Sequence, residues 1–128
     1  MKASFYIASA LFTPEQKARI NSIALYLRAR GCKVYVPHEL SIPNAATMPN
    51  SEWARTVFIN DLHALDSCDK VIYICEGMNG DIGAAWECGY AYAKGKDIAV
   101  VEVGNLEEPI SLMVGQSCHI QHPMRYQS

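Results

Sequence analysis

The sequence has no long apolar run, no basic cluster and no paired-cysteine motif, and each absence excludes a class of protein. No apolar stretch approaches the roughly 20 residues of a membrane-spanning helix, so we expect no membrane partner. Eleven Lys and Arg are scattered among 13 Asp and Glu, for a net charge of -2, so we expect no nucleic-acid partner. The short apolar run at the N-terminus leads into a helix start instead of a cleavage site, so we interpret it as a strand of a cytoplasmic protein.

Patterns for metal binding are also missing. The five cysteines are odd in number and form no Cys-x-x-Cys pair, and the four histidines show no ligand spacing among themselves or with the cysteines. We therefore expect no metal site and no organic cofactor, and we interpret the cysteines as reduced, mostly buried thiols of a cytoplasmic protein. They are Cys32, Cys68, Cys75, Cys88 and Cys118.

The sequence does contain a regular alternation of strand and helix patterns. The run Thr13-Pro14-Glu15-Gln16 is a capping box with proline in the first turn, which predicts a helix start. The near-continuous apolar run at 70–75 is typical of a central parallel strand. Predicted strands cover 4–8, 33–37, 70–75, 97–103 and 118–121, predicted helices begin near 14, 52, 82 and 109, and residues 38–51 are predicted to form a long loop.

This alternation predicts one domain over residues 1–128 with an α/β fold. We expect a doubly wound sheet of the flavodoxin-like or Rossmann-like kind, with five parallel strands in the order 2-1-3-4-5 and helices on both faces. In such sheets, ligands bind outside the carboxyl ends of the strands, where the strand order reverses. The loops 8–12 and 76–83 would flank that crevice.

A glutamate stands where the third helix should be least polar. Glu87 lies on the helix face that carries Ala84, Cys88 and Ala91, which is predicted to meet the sheet. An unpartnered carboxylate in an apolar site costs several kcal/mol. Either this part of the helix turns outward and Glu87 is solvated, or Glu87 is held at the bottom of the crevice for a chemical purpose.

Two further carboxylates fall near the same crevice. Asp81 precedes the third helix, where it could be a helix cap or an acid, and Asp61 falls late in the second helix, where it could be surface charge. The glycine-rich loop 77–83 has neither the dinucleotide-binding spacing nor that of a P-loop. A pair of carboxylates is the usual equipment of glycosidic-bond chemistry, in which one attacks the anomeric carbon and the other carries a proton.

Four segments, taken in order along the chain, resemble the nucleoside 2-deoxyribosyltransferase family. They are "FYIASALF", "WARTVFINDLHALDSCD", "GDIGAAWECGYAYAKGK" and "EPISLM", and they extend from residue 5 to about 113. The Asp-x-Gly…Glu-x-Gly-Tyr-Ala signature and the Asn-Asp-Leu helix carry the resemblance, since the first strand alone would be uninformative. Ser111 departs from the family, which has asparagine at that position.

The resemblance implies a role for each matching residue. Glu87 would be the nucleophile that forms a glycosyl ester, and Asp81 would pass a proton to the departing base and recover it from the incoming one. Asp61 would bind the deoxyribose or help to hold the hydrogen bonds of the site, and Gly83 would contact the substrate. The remaining implied site residues are Tyr6, which would orient Glu87, Phe12, which would line the base pocket, and Ser111 and Met113, which a neighbouring subunit of a homo-oligomer would supply.

The activity implied by the resemblance is transfer of 2-deoxyribose between deoxynucleosides and free nucleobases, in nucleoside salvage. Two displacements at one carbon would retain configuration and give ping-pong kinetics. One alternative is hydrolysis of a nucleoside or nucleotide N-glycoside on the same scaffold, and another is a non-catalytic nucleotide-sensing module. We favour nucleosides over nucleotides because the loop after the first strand, "ASALFTPEQ", contains Ser9 but neither Arg nor Gly for a 5'-phosphate.

Overall fold

The computed structural model describes residues 3–37, 45–77, 80–104 and 110–118, and the backbone of 124–126. The strands in these ranges are β1 (Ser4–Ala8), β2 (Lys33–Tyr35), β3 (Lys70–Cys75), β4 (Asp97–Val103) and β5 (Met124–Tyr126). The α-helices are α1 (Pro14–Arg28), α2 (Asn50–Ser67), α3 (Ile82–Ala93) and α4 (Leu112–Ser117), and a 3₁₀ turn covers Ala45–Thr47.

The strands form one parallel sheet in the order β2-β1-β3-β4-β5. β1 and β3 occupy the middle, and Phe5 is in register with Lys70, which in turn is in register with Asp97. Strand and helix alternate along the chain, as right-handed crossovers between parallel strands require. The predicted α/β class and the parallel sheet are confirmed.

Helices cover the sheet from both sides and divide the core in two. On one side, Ile20 and Ala24 of α1 pack against a cluster that includes Ile7 and Ile72. On the other side, α2, α3 and α4 pack against the alternate side chains of the same strands, Tyr6 and Tyr73 among them. The crossover from β1 to β2 runs toward one edge of the sheet, and the later crossovers run toward the opposite edge. Because right-handed crossovers in opposite directions place their helices on opposite faces, α1 alone lies on its face of the sheet.

Two predicted boundaries are wrong. β2 ends at Tyr35 instead of residue 37, and α2 begins at Asn50, so the predicted loop 38–51 ends earlier. The described edge strand is Met124–Tyr126. Cys118, where the predicted strand 118–121 begins, is the C-cap of α4, and residues 119–121 lie outside the described residues. The predicted helix start at Pro109, the histidines at 119 and 122 and residues 38–44 lie outside the described residues.

Two further findings concern composition. None of the described helices combines the length and the apolar character needed to cross a bilayer. All five cysteines are free thiols, and Cys68, Cys75 and Cys88 are buried, whereas Cys32 and Cys118 are half-buried.

Candidate active site

The apolar face of α3 packs against the sheet, as its sequence pattern predicts. Ala84, Cys88 and Ala91 are buried in the core, and Glu87 lies half-buried at the border of the same face. Beside this face, Tyr92 is 56% exposed and Ala85 is only half-buried. The buried stripe that meets the sheet is therefore narrow, and Glu87 borders it.

A tyrosine from the central strand β1 holds the Glu87 carboxylate. The hydroxyl of Tyr6, whose side chain is fully buried, donates a hydrogen bond to Glu87 Oε2. This bond links two elements that are 81 positions apart in the chain. It also explains how a carboxylate is tolerated at this position, because a buried charge is stable only when it is hydrogen-bonded or paired.

The surroundings of Glu87 make its charge unfavourable. Burial raises the pKa of Glu87 to about 7, the Tyr6 hydrogen bond acts against that shift, and the charges of Asp61 and Asp81 add to it. Burial and the Glu87 charge raise the pKa of Tyr6 far above its usual range, so Tyr6 remains a donor. A solvated surface glutamate would show neither effect, and the solvated alternative for Glu87 is therefore rejected.

Asp81 caps α3 and faces the same space. Its Oδ2 accepts a hydrogen bond of 2.8 Å from the backbone N–H of Ala84, which is the usual bond of an N-cap aspartate. That bond occupies one carboxylate oxygen and leaves Oδ1 outside the cap. A β-carbon on Gly83 would lie 3.1 Å from Asp81 Oδ2, so glycine at this position leaves room for the carboxylate. The cap and a chemical role for Asp81 are therefore compatible.

Asp61 of α2 is half-buried and lies near Glu87. Burial raises the pKa of Asp61 to about 6, well above the usual value for an aspartate. Its charge contributes to the raised pKa values of both Glu87 and Tyr6. Asp61 is therefore not ordinary surface charge but a member of the same group of carboxylates.

One cavity collects these side chains at the carboxyl end of the sheet. It has a volume of about 610 Å³, in the range of small-molecule sites, and Asp61, Asp81 and Glu87 all line it. Phe12 and Gly83 line it too, whereas Tyr6 stands behind Glu87. The lining residues of this cavity are Ser9, Leu11, Phe12, Pro37, Trp53, Ala54, Val57, Phe58, Asp61, Leu62, Leu65, Asp81, Ile82, Gly83, Trp86 and Glu87.

Two predicted site residues lie outside this cavity. Ser111 stands at the start of α4 without making a capping hydrogen bond from its side chain. Met113 is 78% exposed and lines a separate cavity of about 410 Å³ between α3 and α4, together with Cys88 and Gly89. Within one chain, therefore, Ser111 and Met113 do not meet Glu87.

The aromatic wall of the site was not predicted from the sequence. Trp53 and Phe58 of α2 line the cavity and are 46% and 45% exposed. Trp86 of α3 packs against Phe58, with ring centroids 5.5 Å apart, and stacks on Tyr90 at 5.7 Å. In the sequence, these three large aromatic residues stand close to the Asn-Asp-Leu and Glu-x-Gly-Tyr-Ala segments, and that proximity could have indicated an aromatic wall.

The described lining of the cavity is acidic and apolar, and it contains no Lys or Arg. Its polar members are Ser9, whose hydroxyl donates to the Ala10 carbonyl at 2.8 Å, and the three carboxylates. In the part of the chain that the structure describes, no three His, Cys, Asp or Glu side chains are grouped so as to hold a metal ion. The arrangement is suited to an uncharged, partly aromatic ligand and to carboxylate chemistry.

The fold and the site define a class: a doubly wound α/β protein with a tyrosine-bound glutamate and a capping aspartate at the carboxyl edge of its sheet. The family model for nucleoside 2-deoxyribosyltransferase matches residues 5–117. The chain therefore belongs to the nucleoside 2-deoxyribosyltransferase family. Among curated proteins, no sequence matches the chain closely enough to count as a relative.

Solved structures share the fold. A 2-deoxyribosyltransferase from the psychrotolerant bacterium Bacillus psychrosaccharolyticus is 29% identical, with a TM-score of 0.82 over 98% of this chain and 87% of that one. A conserved protein from Enterococcus faecalis V583 is 18% identical, with a TM-score of 0.75 over 100% and 92%. A CMP N-glycosidase from Clostridium botulinum is 22% identical, with a TM-score of 0.61 over 96% and 88%. The last two show likeness of fold alone.

Proposed function

We propose that this chain transfers 2-deoxyribose between nucleobases through a covalent ester on Glu87, in nucleoside salvage. The observation that carries the proposal is the half-buried Glu87 carboxylate, held by the hydroxyl of Tyr6 at a cavity that Asp81 also lines. Membership of the family supports the same activity. The five free thiols suit a reducing compartment, and we place the reaction in the cytoplasm.

The first half of the proposed reaction breaks the bond between sugar and base. A Glu87 oxygen attacks C1' of the deoxynucleoside, the C1'–N bond breaks, and its electron pair leaves with the base. The carboxyl group of Asp81 supplies the proton that neutralises the departing base. The sugar passes through a transition state that resembles an oxocarbenium ion, which a nearby carboxylate stabilises.

The second half reverses these steps with another base. A ring nitrogen of the incoming base attacks C1', the ester bond breaks, and Glu87 regains its carboxylate. Asp81 recovers the proton that the incoming nitrogen loses. Two inversions at C1' give net retention, and departure of the first base before the second enters gives ping-pong kinetics.

The site favours nucleosides over nucleotides as substrates. Three carboxylates and no described cation line the cavity, so a 5'-phosphate would add charge of the same sign. Arg19 of α1 does not line the cavity and contacts Glu76 at 3.4 Å. Phe12, Trp53 and Trp86 offer uncharged aromatic surface on which a nucleobase can stack.

A neighbouring subunit completes the site in this proposal. Ser111 and Met113 lie near α4, away from the Glu87 cavity of their own chain, and Met113 is largely exposed. We propose a homo-oligomer in which these two residues reach the Glu87 cavity of a second copy. Ser111 would donate a hydrogen bond there, and Met113 would exclude water from the ester.

The test is a partition experiment with thymidine as the sugar donor. With free adenine added and phosphate absent, we expect deoxyadenosine and thymine and little free deoxyribose. The same mixture with thymidine 5'-monophosphate should react far more slowly. The Glu15→Gln variant, which changes an exposed carboxylate on α1, is the control for preparation effects.

Each other outcome contradicts part of the proposal. Free deoxyribose as the main product, with or without adenine, would make the chain a hydrolase. Faster turnover of the 5'-monophosphate would overturn the substrate class. Tight nucleoside binding with no turnover of either donor would make it a sensing module.

A further inference from the structure

A second buried tyrosine lies under the turn that carries Asp81. Tyr73 is on β3, is 4% exposed, and is in register with Ala8 on one side and Val100 on the other. It lies on the same sheet face as Tyr6, within the same core cluster. The reaction proposed above uses Tyr6 and leaves Tyr73 without a role.

The hydroxyl of Tyr73 lies directly beneath Gly80. A β-carbon on Gly80 would lie 3.1 Å from the Tyr73 hydroxyl oxygen and 3.4 Å from the Gly77 carbonyl oxygen. The first distance is tighter than nine in ten contacts of real β-carbons, so a side chain here would force the tyrosine or the backbone to shift by a few tenths of an ångström. Glycine at position 80 therefore lets the backbone pass close over the hydroxyl.

This contact fixes the segment just before a chemically important residue. Asp81 follows Gly80 directly, and its other restraint is the 2.8 Å bond from the Ala84 N–H to Oδ2. The helix start thus restrains Asp81 from its C-terminal side, and Tyr73 supports the turn on its N-terminal side. Together they determine where the Asp81 carboxyl group enters the cavity.

The electrostatics of Tyr73 agree with a supporting role. Burial, then the neighbouring thiols of Cys75 and Cys88, then Asp81 raise the pKa of Tyr73 to about 12. The hydroxyl therefore stays protonated at neutral pH and places a neutral dipole beneath the turn. An ionised tyrosine there would add a fourth negative charge near the carboxylates.

We propose that Tyr73 is the positioning residue for Asp81: its hydroxyl supports the Gly80–Asp81 turn and so aligns the proton donor with the leaving base. The inference rests on the proposed function, in which Asp81 carries that proton. Tyr73 would then act on Asp81 through the Gly80 backbone, whereas Tyr6 acts on Glu87 through a direct hydrogen bond. A tyrosine that only filled the core would affect stability and leave the proton transfer unchanged.

The first test measures how the rate depends on the leaving base. Donors would be 2'-deoxyuridines with C5 substituents of increasing electron withdrawal, so that the bases leave with increasing ease. Tyr73→Phe should lower kcat about 3- to 10-fold for the poorest leaving base, the range expected for loss of one hydroxyl contact, and much less for the best. KM should stay within about 2-fold, because substrate binding surfaces are unchanged.

The second test asks whether Tyr73 and Gly80 act through one contact. Gly80→Ala should also lower kcat, since its β-carbon meets the Tyr73 hydroxyl. The double variant Tyr73→Phe/Gly80→Ala should recover activity relative to Gly80→Ala, because the obstructing oxygen is gone. Tyr26→Phe, which removes the hydroxyl of an exposed tyrosine on α1, away from the site, is the matched control and should behave like the wild type.

A third measurement does not depend on turnover. If Tyr73 supports the turn, the Ala84 amide should exchange its hydrogen faster in Tyr73→Phe than in the wild type or in Tyr26→Phe. Unchanged exchange, an equal loss on every leaving base, or purely additive effects in the double variant would each overturn the inference. An inactive wild type would overturn the proposed function, and the exchange result would still decide the role of Tyr73 at the turn.

Discussion

In the proposed reaction, the chemistry depends on a single carboxylate inside a helix, that of Glu87. The spacing of Ala84, Cys88 and Ala91 was sufficient to predict that Glu87 borders the buried face of α3. Helical periodicity could not predict its partner Tyr6, because that contact joins α3 to a strand 81 positions away. The resemblance to the family supplied Tyr6, and the geometry agrees with it.

The raised pKa of Glu87 predicts how activity depends on pH. Only the carboxylate form attacks C1', so kcat/KM should rise as pH increases through about 7. The Tyr6 hydrogen bond lowers the pKa of Glu87, so Tyr6→Phe should move the rising limb to higher pH as well as reduce the plateau. A pH–rate profile of both proteins measures this, and an unshifted limb in Tyr6→Phe would contradict the role of the bond.

Glu87 should also cost stability as the pH rises. Its pKa is raised from 4.5 to about 7 in the folded chain, so its contribution is fully present below 4.5 and is lost as pH rises through 7. The pKa of Asp61 is raised from 3.8 to about 6, so Asp61 should also lose its contribution to stability as the pH rises through that range. In Glu87→Gln, the free energy of unfolding, measured by denaturant titration at several pH values, should fall less between pH 4.5 and 7. A variant whose stability falls as steeply as that of the wild type would disprove the burial argument.

Among the elements, α1 follows local sequence rules and α2 does not. The capping box predicted at Thr13 is present, with Gln16 N–H bonded to Thr13 Oγ1 at 3.1 Å and Gln16 Oε1 accepting from Thr13 N–H. On α2, in contrast, Trp53 and Phe58 lie on the apolar side of the helix, yet they line the cavity instead of a filled core. Periodicity shows which side of a helix faces the protein, and it cannot show whether the facing space is filled.

Breaking the capping box should lower the free energy of unfolding by a measurable amount. Thr13→Ala leaves the Gln16 N–H without its side-chain acceptor, so the free energy of unfolding should fall by about 1 kcal/mol. Thr56→Ala is the matched control, because the Thr56 hydroxyl does not cap a helix. It donates to the Glu52 carbonyl one turn earlier in α2, at 2.9 Å, and makes a weak contact with Met48. Denaturant unfolding of both variants tests this, and equal losses would argue against the cap.

At the scale of the whole molecule, topology brings the site together. β1 and β3 are neighbours, so the loops after them meet at one edge, where α3 begins with Asp81. The alternation of strands and helices was sufficient to predict this edge. It was not sufficient to place the edge strand, because a three-residue strand is determined by the partner available to it and not by its own residues.

If a neighbouring subunit completes the site, as proposed, two inactive variants should restore each other. A Glu87→Ala chain lacks the nucleophile, and a Met113→Glu chain would spoil only the site of its neighbour. Co-refolded together, they should show more base exchange than either alone, since some sites then combine an intact Glu87 with an intact Met113. No gain, in a sample that light scattering shows to be oligomeric, would mean that each chain forms its site alone.

The proposed reaction requires Glu87 to become a glycosyl ester, and mass spectrometry can detect that ester. The protein would be mixed with thymidine without an acceptor base, quenched in acid, and digested. We expect a deoxyribosyl adduct on the peptide that contains Glu87, absent from Glu87→Gln, whose exchange rate should fall at least ~10³-fold. An adduct on another residue, or none while the same sample exchanges bases, would contradict it.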